Sequence, residues 1–405
     1  MNNIDSVKDC YGCGVCSTVC PKEIIRIEQN GYGFYEPKIT ESILCINCGL
    51  CIKVCSFTQG TLSETNPIVA SYAAWSNDEQ VRRKSSSGGI GFELGRHLIE
   101  EGYKVCGVRY NPQQNRAEHY IASTIEEFIP SIGSKYIQSY TVDALKGINP
   151  EDKYLVTGTP CQIDSFRRHI KRINIEDNFI LMDFFCHGVP SKLLWDKYLS
   201  DVEKTTGKVI YASWRNKTTG WHDAWTMAIN VETQGEKVNW HDSYNILLKG
   251  EKDFYNSRYS QGDPFYCLFL SDNCLGKACY DHCKYKYDRS AADIRIGDLW
   301  GKKYRNNKEG VSGVVTFTTK GDTALRQANC TLIEEPFEMV AEGQMKAPAQ
   351  RGKLYEKLNT FLHNEKTGIK ELHNLVMKEN KKKKQINRLK HPIRTLLNLV
   401  KKIAK

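Results

Sequence analysis

The chain has 405 residues, 40% of them hydrophobic and 26% charged, with a formal net charge of +10. That profile leaves room for two or three domains and excludes disorder, collagen and coiled coil as descriptions of the whole. The charge is concentrated: residues 378–405 hold eleven Lys or Arg and one Glu, so the other 377 residues balance to zero and do not form a polyanion-binding body. No apolar run is long enough to span a membrane. The opening MNNIDSVKDC lacks the basic-then-apolar pattern of a signal peptide, so a cytoplasmic location is expected. Sixteen cysteines in a reducing compartment point to metal binding or redox chemistry rather than disulfides.

Half of those cysteines come first. Cys10, Cys13, Cys16 and Cys20 are spaced C-x2-C-x2-C-x3-C and followed by Pro21; Cys45, Cys48, Cys51 and Cys55 repeat the spacing, with Ser56 in the proline's place. Structural zinc prefers two separated C-x2-C pairs around one tetrahedral ion. The doubled triple spacing is instead that of bacterial two-cluster ferredoxins, in which the fourth Cys of each run ligates the other cluster. Cys10, Cys13, Cys16 and Cys55 are therefore assigned to one 4Fe-4S cluster, and Cys45, Cys48, Cys51 and Cys20 to a second. Gly12, Gly14 and Gly49 leave backbone N–H groups free to approach the sulfides. Between the runs, IIRIEQNGYGFYEPKIT reads as a β-hairpin turning at residues 31–33. FTQGTLSETNPI, residues 57–68, reads as a linker.

A larger domain follows. IVASYAAW is a strand; Ile90, Leu94 and Leu98 mark a helix that stops at Gly102; YKVCGVRY is the next strand. The order is that of an α/β unit. Ser85–Gly89 opens the helix, where backbone N–H groups attract a phosphate or a flavin carbonyl; the plainer alternative is a Ser-rich helix cap. In a second unit KYLVTG precedes a helix beginning at Pro160, and NFILMDFFCHG ends at Cys186. Cys161 and Cys186 thus lie just past strand C-termini, where open α/β sheets place their sites. With Cys279 and Cys283 they make four thiolates, enough for a third cubane. Cys274 is the reserve ligand, while Cys106, Cys267 and Cys330 read as core. His187 is either a proton donor beside the site or a packed side chain. No G-x-G-x-x-G follows a strand, so Rossmann-type nicotinamide binding has no support.

The stretches SSSGG, GSKYIQS, TGTPCQI, FCHGVPS, RNKTTGW and CYDHCKYKYDRSAADIRIGDLWG, in that order over residues 70–305, resemble the coenzyme F420 hydrogenase/dehydrogenase beta subunit family, here behind a two-cluster ferredoxin. The gap between Cys279 and Cys283 is x3 where the family pattern has x2, which keeps Cys274 in reserve. The resemblance implies an FAD-binding electron-transfer module with its own 4Fe-4S cluster. Ser86, Ser87, Gly88 and Gly89 would contact the flavin or its phosphates. Ser134, Lys135 and Tyr136 would form the second wall, with Lys135 stabilising the anionic reduced flavin or a diphosphate. Asp298 and Trp300 are either structural or line the site. Family members exchange electrons between iron–sulfur carriers and a two-electron partner such as coenzyme F420. Others reduce a chlorophyll derivative, act in sulfite- or formate-linked systems, or occur near polysaccharide-building enzymes.

Past residue 335 the resemblance stops. GKLYEKLNTFLH and IKELHNLVMKEN have helical periodicity, followed by KKKKQINRLK and Pro392. Ile393, Leu396, Leu397, Val400 and Ile403 form an apolar stripe beside Lys401, Lys402 and Lys405. Such a basic amphipathic helix suits peripheral contact with an anionic membrane; a docking segment for a partner protein and a solvated end are the other readings. No base-reading module accompanies the lysines, so no nucleic-acid partner is expected.

The expected architecture is α+β / α/β. A small bacterial-type ferredoxin domain (1–58) precedes a larger mixed α/β flavin-binding domain (68–335) and a helical extension with a basic tail (336–405). The expected function is an iron–sulfur flavoprotein oxidoreductase with three 4Fe-4S clusters and FAD, working with a redox partner protein or a small-molecule acceptor. The alternative is a relay subunit, possible in polysaccharide biosynthesis, with no substrate of its own. Apart from the cofactor ligands no side chain has an assignable acid or base role.

Overall fold

The computed structural model describes residues 3–217, 220–223, 226–231 and 254–390. The N-terminal unit is built on a hairpin of β1 (Ile25–Gln29) and β2 (Tyr35–Ile39), antiparallel with Ile27 opposite Pro37. Asn30 closes the turn by accepting from the N–H groups of Tyr32 and Phe34 at 2.9 and 3.1 Å. Two short helical turns, Val15–Thr18 and Leu50–Lys53, each follow a glycine with positive φ, Gly14 and Gly49. Ile4, Ile25, Ile27 and Tyr35 are buried together with Cys16, Cys51 and Cys55, so the little core and the cysteine runs are one packing unit.

The large domain is a nine-stranded mixed sheet. Its strands are β3 (Ala70–Ser76), β4 (Lys104–Asn111), β5 (Arg116–Ala122), β6 (Ser139–Tyr140), β7 (Tyr154–Thr157), β8 (Phe179–Phe184), β12 (Ile294–Asp298), β13 (Ser312–Thr316) and β14 (Cys330–Glu334). The order is β14-β3-β13-β12-β8-β7-β4-β5-β6. The centre, β12-β8-β7-β4, is parallel, and β13, β3 and β14 add on antiparallel. The expected β7–helix–β8 unit forms between adjacent strands. The unit expected from β3 to β4 is split, because β13, β12, β8 and β7 lie between them. A separate three-stranded sheet holds β9 (Val209–Ser213), β10 (Thr226–Val231) and β11 (Phe254–Arg258).

The helix Ile90–Glu100 starts behind Gly89 and lays Leu94 and Leu98 against Val105, Ile180, Met182 and Ile294. The helix Pro160–Arg172 has proline in its first turn, where the missing N–H is no loss, and the Thr159 N–H donates to Gln162 Oε1 at 2.9 Å. The C-terminal helices Tyr355–His363 and Ile369–Lys390 are not set apart. Leu358, Leu362, Ile369, Leu372 and Val376 share a buried cluster with Trp195, Trp214 and Phe265. The four lysines Lys381–Lys384 continue the last helix as an exposed run, and the apolar stripe from Ile393 onward lies outside the described residues. Among the described residues no helix is long and apolar enough to cross a membrane.

Candidate functional site

Cys10, Cys13, Cys16 and Cys55 ring one small cavity, and Cys20, Cys45, Cys48 and Cys51 ring another. The fourth cysteine of each run is therefore found with the other run. Burial pushes the Cys13 thiol up to about 11, and the neighbouring Cys55 pushes the same way. Cys16 is raised by burial and then by Cys13, Cys10 and Cys55. An iron ion binding the thiolates would offset that penalty. The Gly12 N–H approaches Cys10 Sγ at 3.4 Å, and Asn3 Nδ2 approaches Cys45 Sγ at 3.6 Å. Gly12 and Gly14 have a further reason to be glycine. A Cβ on Gly12 would meet Tyr35 O at 2.4 Å, and one on Gly14 would meet Thr141 Oγ1 at 2.2 Å.

A third set of thiols lies in the large domain. Cys161 sits in the first turn of Pro160–Arg172, Cys186 two residues past β8, Cys279 within the helix Lys277–Asp281, and Cys283 just after it. Burial raises Cys279 to about 12, with Cys186 and Cys283 adding their repulsion; Cys161 feels Cys186 and Cys279 in the same way. Cys274 is elsewhere: it is buried in the cluster of Trp195 and Phe265, and burial alone lifts its thiol to about 12. Cys106 and Cys267 are likewise buried, and Cys330 half-buried. Among the described residues no three His, Cys, Asp or Glu side chains are grouped to hold a single metal ion. Tetrahedral zinc would draw its thiolates in to ~2.3 Å about one centre. A four-iron body holds them further apart.

The third cage opens onto a cavity of about 590 Å³, with Cys186 in its wall, a size typical of small-molecule sites. Ser86, Ser87 and Gly89 line it, as do Ser134, Lys135 and Tyr136. The two stretches are tied where the Ser134 N–H donates to Ser86 Oγ at 2.9 Å. Gly88 departs from expectation, since it faces the sheet. Its N–H donates to Ser312 Oγ at 2.9 Å, its carbonyl accepts from Ser76 N at 2.7 Å, and a Cβ would lie 2.3 Å from Ala74 O. Lys135 lines the cavity, but its ammonium is held by three carbonyls, those of Pro130, Ile132 and Gly133, at 2.9–3.2 Å. Burial lowers its pKa to about 7.

Some residues of the wall, and of the framework behind it, escape sequence reasoning. Lys217 Nζ donates to the carbonyls of Arg82, Ser87 and Glu309, clamping the serine loop to the 309–310 turn. Arg215 is entirely buried, pairs with Asp298 at 2.8 Å, and lies over the Trp300 ring at 4.8 Å. Trp221 stacks on Trp300 and donates to Asp298 Oδ1 at 2.9 Å. Asp298 and Trp300 are thus both wall and framework. RNKTTGW carried Arg215, Lys217 and Trp221, yet their partners are remote in the chain, so spacing held no signal of these roles. Gln344, in the extension, also lines the cavity and donates to Asp298 O at 2.6 Å. His187 is in the wall as well, its Nε2 2.8 Å from Asp272 Oδ1 and its ring against Phe269.

Comparison with known proteins finds three family models. Residues 9–58 match the 4Fe-4S dicluster domain. Residues 71–146 match the N-terminal part of the coenzyme F420 hydrogenase/dehydrogenase beta subunit, and residues 151–336 its C-terminal part. A coenzyme F420-dependent sulfite reductase from Methanocaldococcus jannaschii is 25% identical over 173 residues, which is 42% of this chain and 26% of that protein. The match thus spans about a quarter of the relative's length. A chain of the xenon-derivatised F420-reducing NiFe hydrogenase complex from Methanosarcina barkeri is similar over 79% of this chain and 94% of its own, at 19% identity and a TM-score of 0.42. With both halves of the family's subunit present in order behind a dicluster domain, the chain belongs to the coenzyme F420 hydrogenase/dehydrogenase beta subunit family.

Proposed function

We propose that the protein is an iron–sulfur flavoprotein oxidoreductase that exchanges electrons between its surface and a two-electron acceptor or donor in the large cavity. The observation that carries the reading is a series of three four-thiol cages, running from the exposed Cys48 to Cys186 in the cavity wall. The donor sets fit three 4Fe-4S clusters, held by Cys10, Cys13, Cys16 and Cys55; by Cys45, Cys48, Cys51 and Cys20; and by Cys161, Cys186, Cys279 and Cys283. Iron–sulfur centres supply single electrons, and FAD in the cavity would supply the exchange between single electrons and pairs or hydride.

The chain's own residues do the holding. Ser86, Ser87 and Gly89, at the start of the helix Ile90–Glu100, offer hydroxyls and backbone N–H groups to an anionic or carbonyl-bearing ligand. Ser134, bonded to Ser86, and Tyr136 extend that wall. Arg215, paired with Asp298 and lying over Trp300, puts oriented guanidinium donors in the wall, which would hydrogen-bond an oxygen of a reduced ring or a substrate. Phe185 and Phe269 keep that end apolar. The partner would be of the coenzyme F420 type or another two-electron carrier.

Iron, acid-labile sulfide and released flavin per chain, measured on one anaerobic preparation, test the reading. About twelve irons with one FAD is the expected result. About eight irons without flavin would overturn it and leave a ferredoxin joined to a binding domain. Turnover of a small acceptor by the purified chain separates a complete enzyme from a relay subunit.

A further inference from the structure

We propose that Ser56 and Tyr11 are positioning residues that set the electronic contact between the first cage and the cage of the large domain. The inference rests on reading both cages as 4Fe-4S sites. Tyr11 directly follows Cys10, and Ser56 directly follows Cys55, so each leaves the first cage at a ligand. Each then reaches a carbonyl of the third cage's framework. Ser56 Oγ donates to the Cys161 carbonyl at 3.1 Å, and the Tyr11 hydroxyl donates to the carbonyl of His282, the neighbour of Cys283. Lys284, on the other side of Cys283, donates back to the Ser56 carbonyl at 2.8 Å. Every link starts one residue from a thiol and ends either on a thiol-bearing residue or one residue from it.

The junction is buried on its Ser56 side and reaches the surface at His282. Ser56 is fully buried. Its N–H donates to Ser165 Oγ at 3.1 Å, and Ser165 Oγ donates to Ser56 Oγ at 2.7 Å. Ser165 lies one helical turn beyond Cys161. The Tyr11 ring packs edge-on against Phe57 and Tyr285, with centroids 5.2 and 5.8 Å apart.

An independent pointer lies in the repeat itself. The first run ends Cys20–Pro21 with the proline exposed; the second ends Cys55–Ser56 with the serine buried. Proline has neither the N–H nor the hydroxyl that Ser56 uses. The two pseudo-repeats therefore differ at the position where the junction needs two donors. The step served is the passage of one electron between the two cages' centres, one oxidised as the other is reduced, with no bond made and no proton moved.

The test uses the anaerobic full-length holoprotein, reduced by dithionite, as Ser56→Ala, Tyr11→Phe and the double variant. The wild type is expected to show spin–spin coupling between the centres of the two domains in its paramagnetic resonance spectrum. The double variant should keep the wild-type iron content and the coupling within the ferredoxin pair. It should weaken the cross-domain coupling and slow flavin reduction severalfold. Ser56→Pro should act like the double variant if it folds; the conservative variants decide if it does not. Full iron content with unchanged cross-domain coupling in the double variant would overturn the proposal and leave the function standing. A wild type with about eight irons would overturn both.

Discussion

Asp183 and Arg295 provide a sharp test of what holds the third cage against the sheet. Both side chains are fully buried. Arg295 Nε and Nη2 donate to the two Asp183 oxygens, each at 2.7 Å. Nη1 donates to Tyr287 O at 2.9 Å, and Ser290 Oγ donates to Asp183 Oδ2 at 2.6 Å. The two residues are register partners on β8 and β12, the strands that end just before Cys186 and at Asp298. Asp183→Leu would leave the guanidinium buried with only Tyr287 O to satisfy it, at a cost of about 3–5 kcal/mol. Asp183→Leu with Arg295→Met removes both charges. What remains is the Tyr287 carbonyl without its donor and the Ser290 O–H without its acceptor (its oxygen still accepts from the Ala292 N–H), about 1 kcal/mol each. The double variant should therefore be more stable than Asp183→Leu alone by about 1–3 kcal/mol. Urea unfolding of iron-replete protein, followed by tryptophan fluorescence and extrapolated linearly, measures both. A double variant no more stable than the single one would refute the premise that an orphaned buried charge dominates the cost.

The cysteine assignment divides cleanly: Cys279→Ser should lose about four irons per chain, whereas Cys274→Ser should keep the wild-type iron content and lose only packing. The reverse pattern in the iron assay would move the ligand to Cys274. Gly88→Ala drives a methyl group into Ala74 O and the Ser312 N–H, a clash worth about 1–3 kcal/mol. It should lower the flavin retained through gel filtration without changing the iron content, and unchanged retention would mean that the serine loop is not part of the flavin's support. His119 is held neutral by burial, which pulls its pKa from 6.5 down to about 4. The unfolded chain binds that proton first, so stability falls as pH drops from 6.5 toward 4. His119→Gln should flatten this part of the stability curve, and a variant with the wild-type slope would assign the protons to other groups.

Legibility followed sequence distance. The cysteine runs were readable because a thiol cage demands fixed local spacing, and the crossing of Cys20 and Cys55 is inherent in that pattern. The hairpin, the helix at Pro160 and the helix behind Gly89 were readable from periodicity and caps. The split of the β3–β4 unit was not, since strand order depends on β3 pairing with β13 and β14, which come from the far end of the domain. Lys135 reads as a ligand group only through the family resemblance. The three carbonyls that hold it come from its own preceding turn, and only the backbone path reveals them. Arg215, Lys217 and Gln344 were invisible as site residues because what places them is the fold, not their neighbours. Ser56 stood out in the sequence as a departure from the proline pattern; its meaning waited for the helix bearing Ser165.

The packing of the C-terminal helices changes where the smallest functional piece of this chain ends. Sequence similarity to the family's subunit runs out at residue 336. The apolar stripe of Ile369, Leu372 and Val376 nevertheless closes over Trp195 and Phe265, and Gln344 completes the cavity wall. A chain cut at the edge of the similarity would bare that aromatic surface to water and open one side of the pocket. The unit that melts as one is therefore longer than the unit that resembles its relatives. The extension lies beyond the resemblance yet completes the architecture, and shortening the protein for study would have to stop beyond Val376.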